Sequence, residues 1–392
     1  MPVTIPYQQY QGVWTLSQAS DAVAQSKWPV PVAPNLYKLF SWGGDGGATA
    51  GALGIGNITY YSSPKQVGSL TTWSSVSAVG WYSASIKTDG TLWTWGYNSD
   101  GELGIGNRTN YSSPKQVGSL KSWTQVAAGF FTCLAIRNNG TLWSWGDGST
   151  GMTGLGVSTN YSSPMQVGTL TNWSTINAGR YHVLAIKTDG TLWSWGQNSN
   201  GQLGLGNTTV YSSPKQVGTL TNWLHAAAGY HHSVAVKTDG TLWTWGFNAQ
   251  GQLGFGNTTY AFSSPQQVGS LTNWSLTCGF PNGNSTIVLK TDGTLWSWGL
   301  NNWGQLGLNN LTSYSSPKQI GSLTTWKYAS SNEYFVTATR TNGTLWSWGR
   351  NDQGQLGLSN NVSYYYSPKQ IGALTSWAYT TAGQDFVLAL ST

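Results

Sequence analysis

Thr238-Asp239-Gly240-Thr241-Leu242-Trp243-Thr244-Trp245-Gly246 is a tight turn running into a strand. Asp-Gly between two β-patterned runs is the strongest short hairpin signal. Before it, Ser233 to Lys237 alternates with Val234 and Val236 on one face. The closing Trp-Gly recurs as Trp42-Gly43, Trp95-Gly96, Trp145-Gly146, Trp195-Gly196, Trp245-Gly246, Trp298-Gly299 and Trp348-Gly349, at spacings of 53, 50, 50, 50, 53 and 50 residues. A fixed period near 50 marks a propeller or solenoid. Within one unit, Trp195 to Trp245, a glycine-rich connection (196–207) leads to Tyr-Ser-Ser-Pro at 211–214, read as a turn. Lys215-Gln-Val-Gly is a short strand candidate, and a further apolar run extends from Trp223 to Ala228. No window holds a 3.6-residue period, so each unit reads as about four short strands without a helix.

The phase of the repeat predicts how the ring closes. The last unit stops at Phe386–Thr392, before its Asp-Gly turn and Leu-Trp-x-Trp strand, whereas the chain's first β-pattern, Leu36 to Trp42, supplies that missing strand. The expected fold is therefore all-β: a seven-bladed propeller over 35–392, closed by an N-terminal strand, preceded by an extension at 1–34. Fifty-one glycines suit a turn-dense chain, and twenty-four tryptophans suit a core between blades, with a ligand platform as the alternative.

The repeats resemble the regulator of chromosome condensation family of seven-bladed propellers. Its Trp-Gly-x-Asn-x-x-Gly-Gln-Leu-Gly phrase stands at 195–204, 245–254 and 348–357, and its small-small-Gly-x-x-His phrase at Ala227 to His232 and Ala178 to His182. The resemblance implies the fold and, by analogy, a protein-binding role. The founding member's special loop and basic N-terminal arm, which serve nucleotide exchange on chromatin, have no counterpart here. Other relatives are inhibitory or scaffolding modules.

His182 and His232 occupy the family's structural histidine position, so the resemblance implies a hydrogen-bonded core role for them. His225 and His231 read as surface residues. No His cluster has carboxylates at ligand spacing, and no nucleophile elbow, P-loop, Rossmann fingerprint or zinc motif occurs. The expectation is no enzyme, no metal and no cofactor. Asp100 and Glu102, adjacent in one loop, read as solvated. Cys133 and Cys278 lie in different repeats, and Cys133 reads as a small buried residue.

Net charge is +6, yet eleven of the eighteen Lys and Arg fall at two repeat positions, after the proline and before the hairpin. They read as dispersed, solvated rings, which argues against specific nucleic-acid recognition. No basic leader, long apolar run or membrane span is visible.

Departures from the repeat mark candidate binding loops: 44–52, 147–153, 280–284 and 359–366. A row of aromatics before the Ser-Pro phrase, Tyr61, Tyr111, Tyr161, Tyr211, Phe262, Tyr314 and Tyr365, reads either as turn packing or as a face for a host-surface protein or glycan. In the extension, Thr15-Leu-Ser-Gln18 resembles a capping box, predicting a short helix over 16–26. Trp28-Pro-Val-Pro-Val-Ala-Pro34 reads as a stiff extended arm. Tyr7, Tyr10, Trp14 and Trp28 read as assembly anchors. The phrases Gly12-Val-Trp-Thr-Leu-Ser-Gln18 and Lys27-Trp-Pro-Val-Pro31 resemble segments of tailed-bacteriophage structural proteins. That resemblance implies a virion display protein whose arm meets other virion proteins. A free binding or inhibitory propeller, or a lectin, is the alternative.

Overall fold

The computed structural model of the chain describes residues 36–45, 50–277, 283–360 and 362–392. The anchors Tyr7, Tyr10, Trp14 and Trp28, the helix expected over 16–26, Cys278 and parts of the loops 44–52, 280–284 and 359–366 lie outside the described residues. Twenty-eight strands, β1 (Lys38–Gly43) to β28 (Phe386–Ser391), form seven four-stranded antiparallel sheets. Among the described residues there is no helix. One sheet serves as the pattern: β11 (Trp173–Ala178), β12 (His182–Lys187), β13 (Leu192–Gly196) and β14 (Tyr211–Gln216) pair in that order, from the central channel outward.

Ring closure follows the expected exchange. β1 pairs with β28 from Lys38↔Ser391 to Gly43↔Phe386, so the closing sheet takes two strands from each end of the propeller, in the order β2 (Tyr61–Gln66), β1, β28, β27 (Trp377–Ala382). One local reading is corrected. Tyr211 to Pro214 is the first part of the outer strand β14, not a turn. An outer strand pairs on one side only, so Pro214 deprives the ladder of nothing. The strand meets β13 at Gly196↔Tyr211, bulges, and resumes at Ser194↔Lys215.

The hairpin phrase is tied by its own side chains. Asp239 Oδ1 accepts from Thr241 N (3.0 Å) and Thr241 Oγ1 (2.6 Å), and Thr241 Oγ1 accepts from Trp243 Nε1 (2.9 Å). Gly240 closes the turn at φ +76°, a conformation that disfavours any side chain. The long loop is organised by one asparagine: Asn198 donates to the carbonyls of Asn207 and Thr209 and accepts from Leu203 N.

Neighbouring sheets are joined by a repeated tryptophan lock. The fully buried Trp245 donates Nε1 to Gln202 O of the preceding sheet's loop at 2.9 Å, and Ser233 Oγ donates to the same oxygen at 2.7 Å. Trp298 and Thr286 do the same at Gln252 O, and Trp95 and Ser83 at Ala52 O. Trp42 donates to Gln355 O at 3.1 Å and so locks the seam. The indole lies against a glycine in each loop: a Cβ on Gly204 would sit 2.8 Å from Trp245 Nε1. This contact explains the second glycine of Gly-Gln-Leu-Gly. His182 and His232 extend the lock. Both are fully buried, with Nε2 at 2.8 Å from Ser233 Oγ and 3.0 Å from Thr286 Oγ1, and burial first, then neighbouring histidine, pushes both down to about 3. They are neutral core groups at physiological pH.

Two further readings are corrected. The lysines before the hairpins are not freely solvated: Lys187, Lys237 and Lys290 are 6%, 5% and 6% exposed, and each Nζ lies 3.6–3.9 Å from the centre of a tryptophan ring. Glu102 is fully buried. It stands where sibling loops carry Gln202, Gln252, Gln305 and Gln355. Its Oε2 accepts from Asp100 N as the glutamine Oε1 atoms accept from their own loops. Its Oε1 has no partner, whereas Gln305 Nε2 donates to Glu333 O.

Two predictions follow from closure and from this misplaced charge. Removing residues 1–35 leaves β1 and a folded propeller, whereas removing 1–43 bares β28 and β2 and lowers the melting temperature sharply or causes aggregation; equal melting curves would contradict the seam. Burial pushes Glu102 up to about 7 from the usual glutamate range near 4.5. Below pH ~4.5 the group is neutral folded and unfolded and carries no penalty. As pH rises towards 7 the unfolded chain ionises first and stability falls, by about 3 kcal/mol in all. Glu102→Gln therefore stabilises the protein at pH 8 and leaves it unchanged at pH 4 in denaturant titrations; the same gain at both pH values would refute the buried charge.

Candidate functional site

Each strand's direction sorts the loops onto two faces. Connections between the first and second strands, and between the third and outer strands, lie together: Tyr97 N donates to Trp81 O, and Phe247 N to His231 O. This is the loop face. The Asp-Gly turns and the connections to the next sheet form the opposite, hairpin face. The described residues of the four repeat departures, 44–45 and 50–52, 147–153, 283–284, and 359–360 with 362–366, belong to the loop-face connections or the strand that follows them.

Between the faces runs a channel lined by the innermost strands, with a cavity of roughly 300 Å³. Its side chains satisfy the free edges of those strands. Ser77 Oγ accepts from Ala128 N (2.9 Å), Gln125 Oε1 from Ile176 N (3.1 Å), Asn177 Oδ1 from Ala228 N (2.7 Å), and Thr381 Oγ1 from Ala78 N (3.3 Å). Each bond joins one sheet to the next, as an unpaired inner edge requires. His225 lines this channel, where burial lowers its pKa, and is not a surface residue.

The channel opens onto the loop face among the tips of the first connection. Backbone bonds stitch these tips together: Phe130 N to Gly179 O, Arg180 N to Gly229 O, Tyr230 N to Gly283 O, and Gln384 N to Gly80 O. An aromatic arc follows. Trp81 meets Phe130 at 5.4 Å, and the Arg180 guanidinium lies over Phe130 at 4.3 Å and over Tyr230 at 4.7 Å. Arg180 Nε also donates to Tyr181 OH at 3.0 Å. His231, expected at the surface, is half-buried. It stacks on Tyr181 and packs against Tyr230, and burial with Arg180 pushes it down to about 4.

The other side of the mouth is acidic. Arg350 pairs with Asp352 and lies 3.9 Å from Asp385, with its guanidinium over Tyr334 at 4.8 Å and Trp303 at 5.3 Å. Burial raises Glu333 and Asp385, opposed by Arg180 and Arg350 for Glu333 and by Arg350 for Asp385. Asn332, fully buried beside them, has no partner for either amide atom. Seven carboxylates, Asp45, Asp100, Glu102, Asp147, Glu333, Asp352 and Asp385, lie on the loop face with Arg108, Arg180 and Arg350. This arrangement holds aromatic and charged groups rigidly at one rim. Among the described residues no three His, Cys, Asp or Glu side chains are placed to hold a metal ion. Among the described residues there is no helix long and apolar enough to cross a membrane.

The aromatic row is not brought together. Tyr61, Tyr111, Tyr161, Tyr211, Phe262, Tyr314 and Tyr365 stand one per sheet at the start or near the start of each outer strand, half-buried. Tyr61, Tyr211 and Tyr365 hydroxyls accept from Asn57, Asn207 and Asn360, pinning the long loop to the strand. The same asparagines accept from the backbone two residues on, which gives the Asn-x-Thr phrases a turn role. The mouth itself was missed. Its signal was present in the seven copies, because the sequence at the tips differs in every one: Trp81, Phe130-Phe131, Arg180-Tyr181, Tyr230-His231, Phe280-Pro281, Glu333-Tyr334 and Gln384-Asp385.

Comparison with known proteins accords with this geometry. The family model for the RCC1-like domain matches residues 35–282, and that for the regulator of chromosome condensation (RCC1) repeat matches 292–338 and 342–390. No curated protein matches the sequence significantly. Among solved structures, Prp20p from Saccharomyces cerevisiae, described with its binding to Gsp1p and histones, is 19% identical at a TM-score of 0.81, covering 92% of both chains. Yeast RCC1 (Prp20) bound to Kap60 is 20% identical at 0.80, covering 91% of this chain and 89% of the other. Human WBSCR16 is 21% identical at 0.80, covering 91% and 99%. At these identities the likeness carries the fold. With family models spanning nearly all of the seven-sheet ring, the chain belongs to the RCC1-like propeller family.

Proposed function

We propose that the chain is a non-enzymatic protein-binding propeller whose loop face receives the partner, and that residues 1–34 fix it to a tailed-bacteriophage particle as a display module. One observation carries the first part. Seven copies of one unit experience nearly the same packing demands, so positions that lock, turn or pack repeat. Divergent residues line the channel, and the aromatic and charged ones among them concentrate at the loop-face mouth and in the departures on that face. There they place half-exposed aromatics and paired charges, the composition that concentrates binding energy in interfaces. The relatives' binding to Gsp1p, histones and Kap60 supports the same class of role.

The second part rests on Tyr7, Tyr10, Trp14 and Trp28 in a segment too short for its own core, and on its resemblance to phage structural segments. Assembly proceeds in the host cytoplasm, and the propeller then faces outward for host recognition.

A photo-crosslinker placed at Tyr181 or Tyr334 on the loop face is expected to trap one defined protein, and one at Asp189 or Asp239 on the hairpin face none. Arg180→Ala with Tyr230→Ala should abolish the adduct. Equal trapping from both faces would overturn the assignment. For the arm, Trp14→Ala or Trp28→Ala should detach the protein from purified particles at an unchanged melting temperature; normal incorporation of both variants would remove the display role.

A further inference from the structure

We infer that the central channel is a binding site for one small, uncharged carbonyl compound, an ester, lactone or amide with an apolar body. The cavity of roughly 300 Å³ is large enough for such a molecule. Its lining is also the least repetitive interior position of the chain. Gln125, Thr175, His225, Leu276, Tyr328 and Tyr379 occupy one register of six successive innermost strands. Each of these residues is half-exposed, so its side chain is presented to the channel.

The register divides into two arcs. Gln125, Thr175 and His225 come from three consecutive sheets and are polar; Leu276, Tyr328 and Tyr379 come from the next three and carry apolar bodies. The two tyrosine rings lie 4.2 Å apart at 33°, with their hydroxyls 2.7 Å from each other, and so form one continuous wall. Packing alone would let seven near-identical sheets repeat one residue here, as they repeat their locks and turns. A two-sided channel instead suits a ligand with one polar edge and one apolar body.

The free inner edges of the strands decide what the polar side can offer. Each edge presents backbone N–H groups that need acceptors. Gln125 Oε1 and Asn177 Oδ1 are committed to Ile176 N and Ala228 N, which fixes both amides with their NH₂ groups turned away from those strands. Ser77 Oγ and Ser330 Oγ accept from Ala128 N and Ala382 N, which leaves each hydroxyl its own hydrogen to donate. No acceptor among the described residues takes these four donors. The edges have consumed the acceptors and left the channel rich in donors, so the matching group on a ligand is an oxygen that accepts without donating.

Charge narrows the class further. Among the described residues lining the cavity there is no Asp, Glu, Lys or Arg, and burial lowers His225, which keeps its imidazole neutral. A carboxylate or an ammonium group would leave water here without a counter-charge. A carbonyl oxygen loses little and gains two or more hydrogen bonds.

Saturation-transfer NMR titrations of the full chain with methyl benzoate, benzoate, benzylammonium and toluene test this. Methyl benzoate should bind with about millimolar affinity, ordinary for about ten heavy atoms. Benzoate, benzylammonium and toluene should bind at least about tenfold more weakly, since each lacks the neutral acceptor. Gln125→Glu with Asn177→Asp keeps an oxygen for Ile176 N and Ala228 N but replaces the donors by acceptors, and should weaken methyl benzoate about tenfold or more at an unchanged melting temperature. Thr175→Phe, which fills the channel from a half-exposed position, should abolish binding and serves if the first variant does not fold. Absence of methyl benzoate binding, or binding that survives Thr175→Phe, overturns the site. Benzoate or benzylammonium binding as tightly as the ester overturns the uncharged class. None of these outcomes touches the loop-face proposal, whose readout is a crosslink at the rim.

Discussion

The indole of each sheet's last tryptophan, donated to a loop carbonyl of the sheet before it, is the contact on which the ring depends. It couples three sequence features that otherwise have no mutual reason. The Trp-Gly ending places the indole. The Gly-Gln-Leu-Gly loop supplies the carbonyl and leaves room for the ring, since a Cβ on Gly54, Gly104 or Gly357 would stand 2.5–2.6 Å from an indole nitrogen. In three of the sheets a serine or threonine of the second strand, Ser83, Ser233 or Thr286, takes the oxygen's other lone pair. A buried indole covers about 150–250 Å², and its N–H must be satisfied there. Because Trp42 makes this contact with Gln355 across the seam, the chain's two ends are held by the same chemistry as its middle.

A scaffold locked this way frees other positions. Hairpin turns, locks and outer strands recur almost letter for letter, and the channel residues do not: Ser75, Gln125, Thr175, His225, Leu276, Tyr328 and Tyr379 stand at one register. The loop tips differ still more. The seven copies thus act as an internal comparison that separates what packing demands from what it merely permits. The residues it permits are aromatic and charged at one rim, where solubility alone would favour Ser, Thr, Asn or Gln.

The fold was legible because its determinants are local and periodic. Asp-Gly turns, Trp-x-Trp strands and the phase of the repeat specify seven sheets and their closure. What the sequence obscured depends on contacts between sheets. Tyr211 to Pro214 reads as a turn until its place on an outer edge is known. Glu102 reads as solvated until the loop around it is seen to close. His231 reads as surface until Tyr181 and Tyr230, from two different sheets, enclose it. The channel mouth was missed for the same reason: Phe130, Arg180 and Tyr230 lie 50 residues apart and meet only because the ring curves. The tyrosine row was visible in the sequence; what it concealed is that the hydroxyls of Tyr61, Tyr211 and Tyr365 accept from the asparagines of the long loops beside them.

The account's central claim is that the mouth residues exist for a partner and not for the fold. The direct measurement is the melting temperature of one variant carrying Trp81→Ser, Arg180→Ser, Tyr230→Ser, Glu333→Ser and Asp385→Ser together. Residues selected for binding commonly cost stability or leave it unchanged, so the midpoint should stay within about 3 °C of the parent's or rise above it. A fall as large as that caused by replacing Trp245 in the lock would show that these side chains hold the ring together, and would contradict the claim.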